Sequence, residues 1–343
     1  MPKISVIVPV YNCEKYIDKC ARSLFEQTLD DIEYIFVNDC TPDNSMLILE
    51  NIIKEYPYRT NSIKILNHTI NTGQSGARRD GMAIATGDYI IHCDSDDWVD
   101  VTMYEEMYNI AVANDVDAVC CDMLMEFTSG SERLHYNSEY NDHQLMYDCI
   151  APITVVYMSM CNRLVSRKIF EHHEIIPFEG VNMWDDVGLA VRIRYYIQST
   201  SVVNKPFYHY NRINETSTTC RPVIGRIKEQ IECVRYLEDF FIAHNSFGRY
   251  EKFLAYLKIL SKVDMFTNDY IKDWLNCFSE SNDYIFRLPI LKVHFGKRFV
   301  FLMWLVAKLG ICGWFLIDNA RVIKKAIKRI FDSLLLLFYC IYG

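Results

Sequence analysis

The stretch Ile90-Ile91-His92-Cys93-Asp94-Ser95-Asp96-Asp97-Trp98 decides how the rest of the chain is read. An apolar run from Tyr89 to Cys93 has the composition of a buried strand, and it stops abruptly at a cluster of carboxylates, Asp94, Asp96 and Asp97. Like charges repel, so a fold gathers them where something positive lies between them. Hard divalent cations such as Mn²⁺ or Mg²⁺ are the usual occupant, and they bring phosphate oxygens as further ligands. The stretch therefore predicts a metal–diphosphate site at the C-terminal end of a strand. A helix cap or a solvent-facing turn is the competing explanation for such a cluster.

Upstream, Ile4 to Val8 is a second apolar run, ending at Pro9; Tyr34 to Val37 reads as a second strand and Ile63 to Leu66 as a third, short one. Helical spacing falls between them. Asn12 is placed to cap a helix with Tyr16, Cys20 and Leu24 inward. Leu47, Ile48, Ile52 and Ile53 face inward on the next, and a third helix runs from the Asn71 loop to about Ala85. Strands alternating with helices in this way predict a doubly wound, mostly parallel α/β sheet. Ligands in such sheets bind outside the carboxyl ends of the strands. Pro9 to Asn12, Asn38-Asp39 and Asp94 to Asp97 should therefore converge.

Downstream the pattern continues with a helix from Met103 to Asn114 and a strand from Ala118 to Met123. Glu126 to Asp148 reads as an irregular loop or insertion, and Cys161 to Val165 as a strand entering a second half. Trp184-Asp185-Asp186 opens a helix through Tyr196, and Arg226 to His244 and Tyr250 to Lys272 are helical. On that helix Asp186 shares a face with Leu189, Ala190, Ile193 and Ile197, whereas Asp185 points towards Gly188 and Arg192. A carboxylate on an inward face has a task or a partner, and first-turn acids favoured by the helix dipole are the alternative.

Half of the 343 residues are hydrophobic and 14% are aromatic, which allows a large core and excludes wholesale disorder. A net charge of −8 argues against nucleic acid as the main partner. The charge is uneven: between Lys297 and Arg329 there are eight basic residues against one acidic, Asp318. There Phe299 to Ile317 is mostly apolar, with Lys308 near its middle, and Arg321, Lys324, Lys325, Lys328 and Arg329 follow. The central lysine and basic flanks favour helices lying in the interface of an anionic membrane. A helix packed on the preceding domain and a membrane-spanning hairpin are the alternatives. Thirteen cysteines show no zinc spacing, and several, such as Cys93, Cys120 and Cys121, sit in apolar runs. Free thiols and the absence of a signal-peptide pattern after Met1 point to a cytoplasmic location. Nothing in the pattern indicates an oligomeric state.

Six segments in order carry a family resemblance: Pro9-Val10-Tyr11-Asn12; Asn38 to Ser45; Asn71-x-Gly73-x-Ser75-x-Ala77-Arg78; Ala85 to Tyr89; Asp94-Ser95-Asp96-Asp97; and Trp184-Asp185-Asp186. From Ile4 to Thr219 the chain resembles the family 2 inverting glycosyltransferases of the GT-A fold, the kind that build bacterial surface polysaccharides. It departs from their usual motifs at Asn38 and Cys40, which stand for Asp and Gly, and at Asp185, which stands for Glu.

The resemblance implies a metal-dependent hexosyl- or N-acetylhexosaminyltransferase using Mn²⁺ or Mg²⁺. Its donor would be a UDP-sugar and its acceptor a glycan or a lipid-linked glycan at the inner face of the cell membrane. Asp39 would read the uracil imide, with Pro9 and Tyr11 beside the base, and Arg78 would brace the nucleotide pocket or Asp39. Asp96 would bind the metal, and Asp94 the ribose or the metal through water. His209 and Arg212 would sit over the diphosphate. Inversion needs a base for the acceptor hydroxyl, which the inward face assigns to Asp186, with Asp185 contacting the acceptor or Arg192. The expected organisation is a donor half over 1–125, an acceptor half with the base over 126–222, a helical extension over 223–295 and a membrane-associating end over 296–343. A sugar nucleotidyltransferase would need a Gly-rich basic loop after the first strand, which Pro9 to Asn12 lacks. An inactive donor-binding scaffold would have no need of Asp96 and Asp186.

Overall fold

The first strand, β1 (Ile4–Val10), is apolar on both faces because it lies between two parallel neighbours, β2 (Ile32–Asn38) and β4 (Tyr89–His92). β2 pairs in parallel with β3 (Ile63–Asn67). The computed structural model describes residues 2–139, 142–147, 149, 154–214, 217 and 223–314. It divides into two compact units, Met1–Glu139 with Val156–Thr218, and Tyr140–Val155 with Thr219–Gly343.

In the first unit the expected parallel sheet is present over β1 to β4, with its helices. Gly81 shows how closely the helix Gly73–Ala83 lies on the sheet, since a Cβ there would come 2.7 Å from Ile7 Cγ2. Beyond β4 the sheet becomes mixed. β8 (Arg163–Ser166) runs antiparallel to β4 and to β6 (Ala118–Phe127). β9 (Thr200–Asn211) is parallel to β6, and the two-residue β5 (Trp98–Val99) pairs antiparallel at its far edge. β7 (Gly130–Leu134) folds back on β6, so the stretch expected to be irregular begins with a hairpin.

Three local expectations are corrected. Asn12 lies at φ +53 and caps nothing; the helix begins at Ile17 with no side-chain cap. The helix Ser45–Glu55 buries Leu49 and Ile52, while Leu47 is 57% exposed, so its inward stripe is turned from the one expected. The long helix expected through Lys272 stops at Ser261.

In the second unit Lys262 is buried just past that stop, and its Nζ donates to Cys277 O at 2.6 Å and Asn282 Oδ1 at 2.8 Å. The helix Lys297–Leu309 buries Phe299, Val300, Met303 and Val306 within this unit, and Lys308 pairs with Asp283 at 3.1 Å. Its outer stripe carries exposed Phe301 and Leu309 with Lys297 and Arg298, so apolar and basic side chains share that face. Among the described residues no helix is long and apolar enough to cross a membrane. The basic run from Arg321 to Arg329 lies outside the described residues.

Candidate active site

Three strand ends of the first unit meet where the parallel topology requires. Val10, Asn38 and His92 close β1, β2 and β4; Tyr11 follows the first, Asp39 the second, and Asp94 the third after Cys93. Asp39 is 2% exposed and is held by the Asn71 loop. Its Oδ1 accepts from Thr72 N at 2.7 Å and Thr72 Oγ1 at 2.9 Å and faces His68 Nδ1 at 2.8 Å. Its Oδ2 accepts from Gly73 N at 2.8 Å, leaving acceptor capacity on that oxygen for one more donor. Asp39 N donates to Val10 O at 3.1 Å, which places the acid beside Pro9 and the half-exposed Tyr11.

Arg78, wholly buried, stands at the centre, and its partners are the acids of two other motifs rather than Asp39. Nη2 donates to Asp94 Oδ1 at 2.7 Å, and Nη1 donates to Asp185 Oδ2 at 2.5 Å and to Asp186 Oδ1. One guanidinium thus joins carboxylates more than 100 positions away in the chain to Asp94. Because one cation faces three acids, the cluster tends to keep a proton. Burial first, partly offset by Arg78 and reinforced by Asp186 and Asp94, pushes Asp185 up to about 8. Burial likewise raises Asp186, again with Arg78 opposing. The helix Asp185–Tyr196 is buried almost all round, so its faces do not separate the two acids as the spacing implied. The Asp185 side chain is 7% exposed and that of Asp186 25%, which leaves Asp186 as the one open to a second molecule. Arg192 turns from Asp185 and donates to Gly188 O at 2.8 Å and Ile176 O at 2.6 Å.

The other acids of the tetrad divide by partner. Asp97 is buried and structural: Tyr208 Oη donates to its Oδ2 at 2.5 Å and Asn211 N to its Oδ1 at 2.7 Å, fastening β9 to the loop after β4. Asp96 is half-buried and accepts from Asn214 Nδ2 at 2.6 Å. Burial, then the charge of Asp94, raises it to about 6. Two hard oxygen ligands whose ionised forms repel suit a divalent cation. Among the described residues, no group of three or more His, Cys, Asp or Glu is arranged to hold a metal by itself.

Arg212 lies near enough to Asp96 to favour its charged form, and its Nη1 donates to Tyr210 Oη at 3.2 Å. His209 stacks on Trp98, its ring nitrogens facing Glu126 Oε1 at 2.7 Å and Asp100 Oδ1 at 3.0 Å. The sequence reading passed over Gln74, whose Nε2 donates to Asp94 Oδ1 at 3.0 Å, and Asn182, whose Oδ1 accepts from Ser75. Gln74 stood in a quoted motif at a position the motif leaves open; Asn182 carried no signal beyond lying two residues before Trp184.

Comparison with known proteins identifies the family and the fold. The model of glycosyl transferase family 2 matches residues 5–174. The chain is 40% identical over 240 residues to the uncharacterized glycosyltransferase EpsJ of Bacillus subtilis (strain 168), covering 68% of this chain and 67% of that protein. It is 32% identical to the putative glycosyltransferase EpsH of the same organism, where the match spans 64% of this chain and 63% of the relative, less than two thirds of its length. Among solved structures, S. aureus TarS 1-349 in complex with UDP-GlcNAc superposes with a TM-score of 0.64 at 18% identity, over 95% of this chain and 92% of that one. The mannosyltransferase PcManGT from Pyrobaculum calidifontis, in complex with GDP-Man and Mn²⁺, gives 0.51 at 12% identity over 90% and 87%. Likeness at such identities is a likeness of fold.

Proposed function

This chain belongs to glycosyl transferase family 2 and has a GT-A-like fold, and we propose that it moves a hexosyl or N-acetylhexosaminyl group, with inversion, from a UDP-sugar to a glycan or lipid-linked acceptor in polysaccharide synthesis. The observation that carries the reading is the Arg78 cluster, which draws Asp94, from the loop after β4, and the more exposed Asp186 onto one side chain. UDP and UDP-GlcNAc bound to TarS favour a uridine nucleotide.

In this reading the remaining acceptor capacity of Asp39 Oδ2 takes the uracil N–H, with Pro9 and Tyr11 beside the base. Asp96, with Asp94, would hold Mn²⁺ or Mg²⁺, which when bound neutralises the departing diphosphate. Arg212 adds positive charge beside Asp96, and His209, which stacks on Trp98, would sit with it over the diphosphate. Asp186 takes the proton of the attacking hydroxyl as it reaches the anomeric carbon from the side opposite the leaving group. Asp185 shares the Arg78 guanidinium and fixes the cation that sets the base in place.

A panel of nucleotide sugars scored for nucleotide release, with Mn²⁺, Mg²⁺ or chelator, tests this directly. UDP-sugars should turn over, with chelation lowering the rate by at least about 10²-fold. Turnover with no UDP-sugar, or at full rate under chelation, would refute the donor or the metal respectively.

The protein is also proposed to work at the inner face of the membrane, where a lipid-linked acceptor is presented. The outer stripe of Lys297–Leu309 supports this, because Phe301 and Leu309 are exposed there beside Lys297 and Arg298. Sedimentation with vesicles containing anionic lipid should carry the protein down and release it as salt rises; indifference to anionic lipid would remove the proposal.

A further inference from the structure

Gly73 and Asn182 touch more closely than any pair with a Cβ could. Gly73 has φ +78, and a Cβ there would lie 2.2 Å from Asn182 Oδ1 and 2.6 Å from its Cγ. That Oδ1 also accepts from Ser75 N and Ser75 Oγ, both at 3.2 Å. The carboxamide therefore lies flat on the first turn of the helix Gly73–Ala83 and is bonded to it. Gly73 also donates its N–H to Asp39. Just beyond Asn182, Trp184 adopts φ +71, a left-handed conformation unusual for a bulky residue, and Asp185 and Asp186 follow at once. Strain of that kind persists only where the surroundings over-determine it.

We propose that Asn182 is a positioning residue that locks the segment bearing Asp186 to the segment seating the nucleotide through Gly73. The inference rests on the roles given above to Asp39 and Asp186. Two contacts act on the same helix: Asp39 grips its first residue, and Asn182 seats the base-bearing segment against that residue. Arg78, one turn further along, then meets Asp185 and Asp186 in register. Loss of the Asn182 contact leaves the nucleotide seat intact but lets Asp186 shift relative to the sugar. Displacement of a reacting group by an ångström lowers turnover far more than binding.

The experiment is a kinetic cycle on the full chain. Asn182→Ala should lower kcat by roughly 10- to 100-fold, with KM for UDP-sugar and UDP affinity within about twofold. Asn182→Asp, whose carboxylate accepts the same two Ser75 bonds, should recover most of kcat. Gly73→Ala, which drives the carboxamide away and also strains a residue at φ +78, should lower kcat at least as much, and its further cost in the Asn182→Ala background should be smaller than in the wild type, because the clash is gone while the backbone strain remains. Wild-type kcat in Asn182→Ala, no recovery in Asn182→Asp, or fully additive losses would overturn the proposal. If Asn182→Ala does not fold, Gly73→Ala and Asn182→Asp still decide it. A fully active Asp186→Asn would instead dismiss the base assignment on which the inference rests.

Discussion

Asp186→Asn is expected to lower kcat for sugar transfer by about 10²- to 10⁴-fold, the usual contribution of a positioned base, with donor affinity little changed. Amide for carboxylate keeps the shape and the acceptor oxygen facing Arg78 but removes the basic lone pair. Of the two acids sharing Nη1, only Asp186 is open enough for an acceptor hydroxyl to approach. Burial, opposed by Arg78, holds its carboxyl above the ordinary value, so it is a stronger base than a free aspartate. The sign follows: a base must be ionised, so activity is present above the raised value and lost as pH falls through it. The acid limb of kcat/KM should therefore lie above the unperturbed carboxylate value of about 4. Retained turnover in Asp186→Asn would assign the proton to another group.

Arg78→Met should have the largest effect on stability. It leaves Asp94, Asp185 and Asp186 facing one another with no cation, two of them partly open and Asp185 buried. Removing one partner of a buried ion pair costs about 3–5 kcal/mol, or roughly 10 °C in Tm for a unit of this size. Without the guanidinium the carboxyls of Asp185 and Asp186 are raised further, so the folded state binds more protons than the unfolded one. The deficit should then be greatest near pH 8 and shrink as pH falls and the acids protonate. Thermal melts at several pH values read this, and Arg78→Lys should recover part, since an ammonium is a single point charge without the fork. A variant melting with the wild type at every pH would mean the cluster carries no structural load.

Local pattern was enough for the parallel part of the sheet. Short, largely apolar runs mark β1 to β4, and the helix from Met103 to Asn114 was delimited to the residue. The sheet beyond β4 resisted because its information is not local. β5 is two residues long and exists only because Trp98 and Val99 find His209 and Tyr208 across the strand gap. β9 contains Pro206 and a register shift against β6 that no alternation would predict. Arg78 was legible as a site residue, but its bond to Asp185 spans 107 positions, which spacing does not report. Helical periodicity singled out Asp186 through an inward face, yet the helix is enclosed nearly all round, and exposure distinguishes the two acids instead. Asn182 was invisible because its role comes from a glycine with no side chain to announce the contact.

The most direct test is a crystal structure of the protein with Mn²⁺ and an unreactive UDP-sugar analogue. The uracil imide should sit on Asp39, the manganese anomalous signal beside Asp96, and the anomeric carbon should face Asp186 across the space next to Arg78. Nucleotide bound away from Asp39, or a sugar turned away from Asp186, would contradict the account.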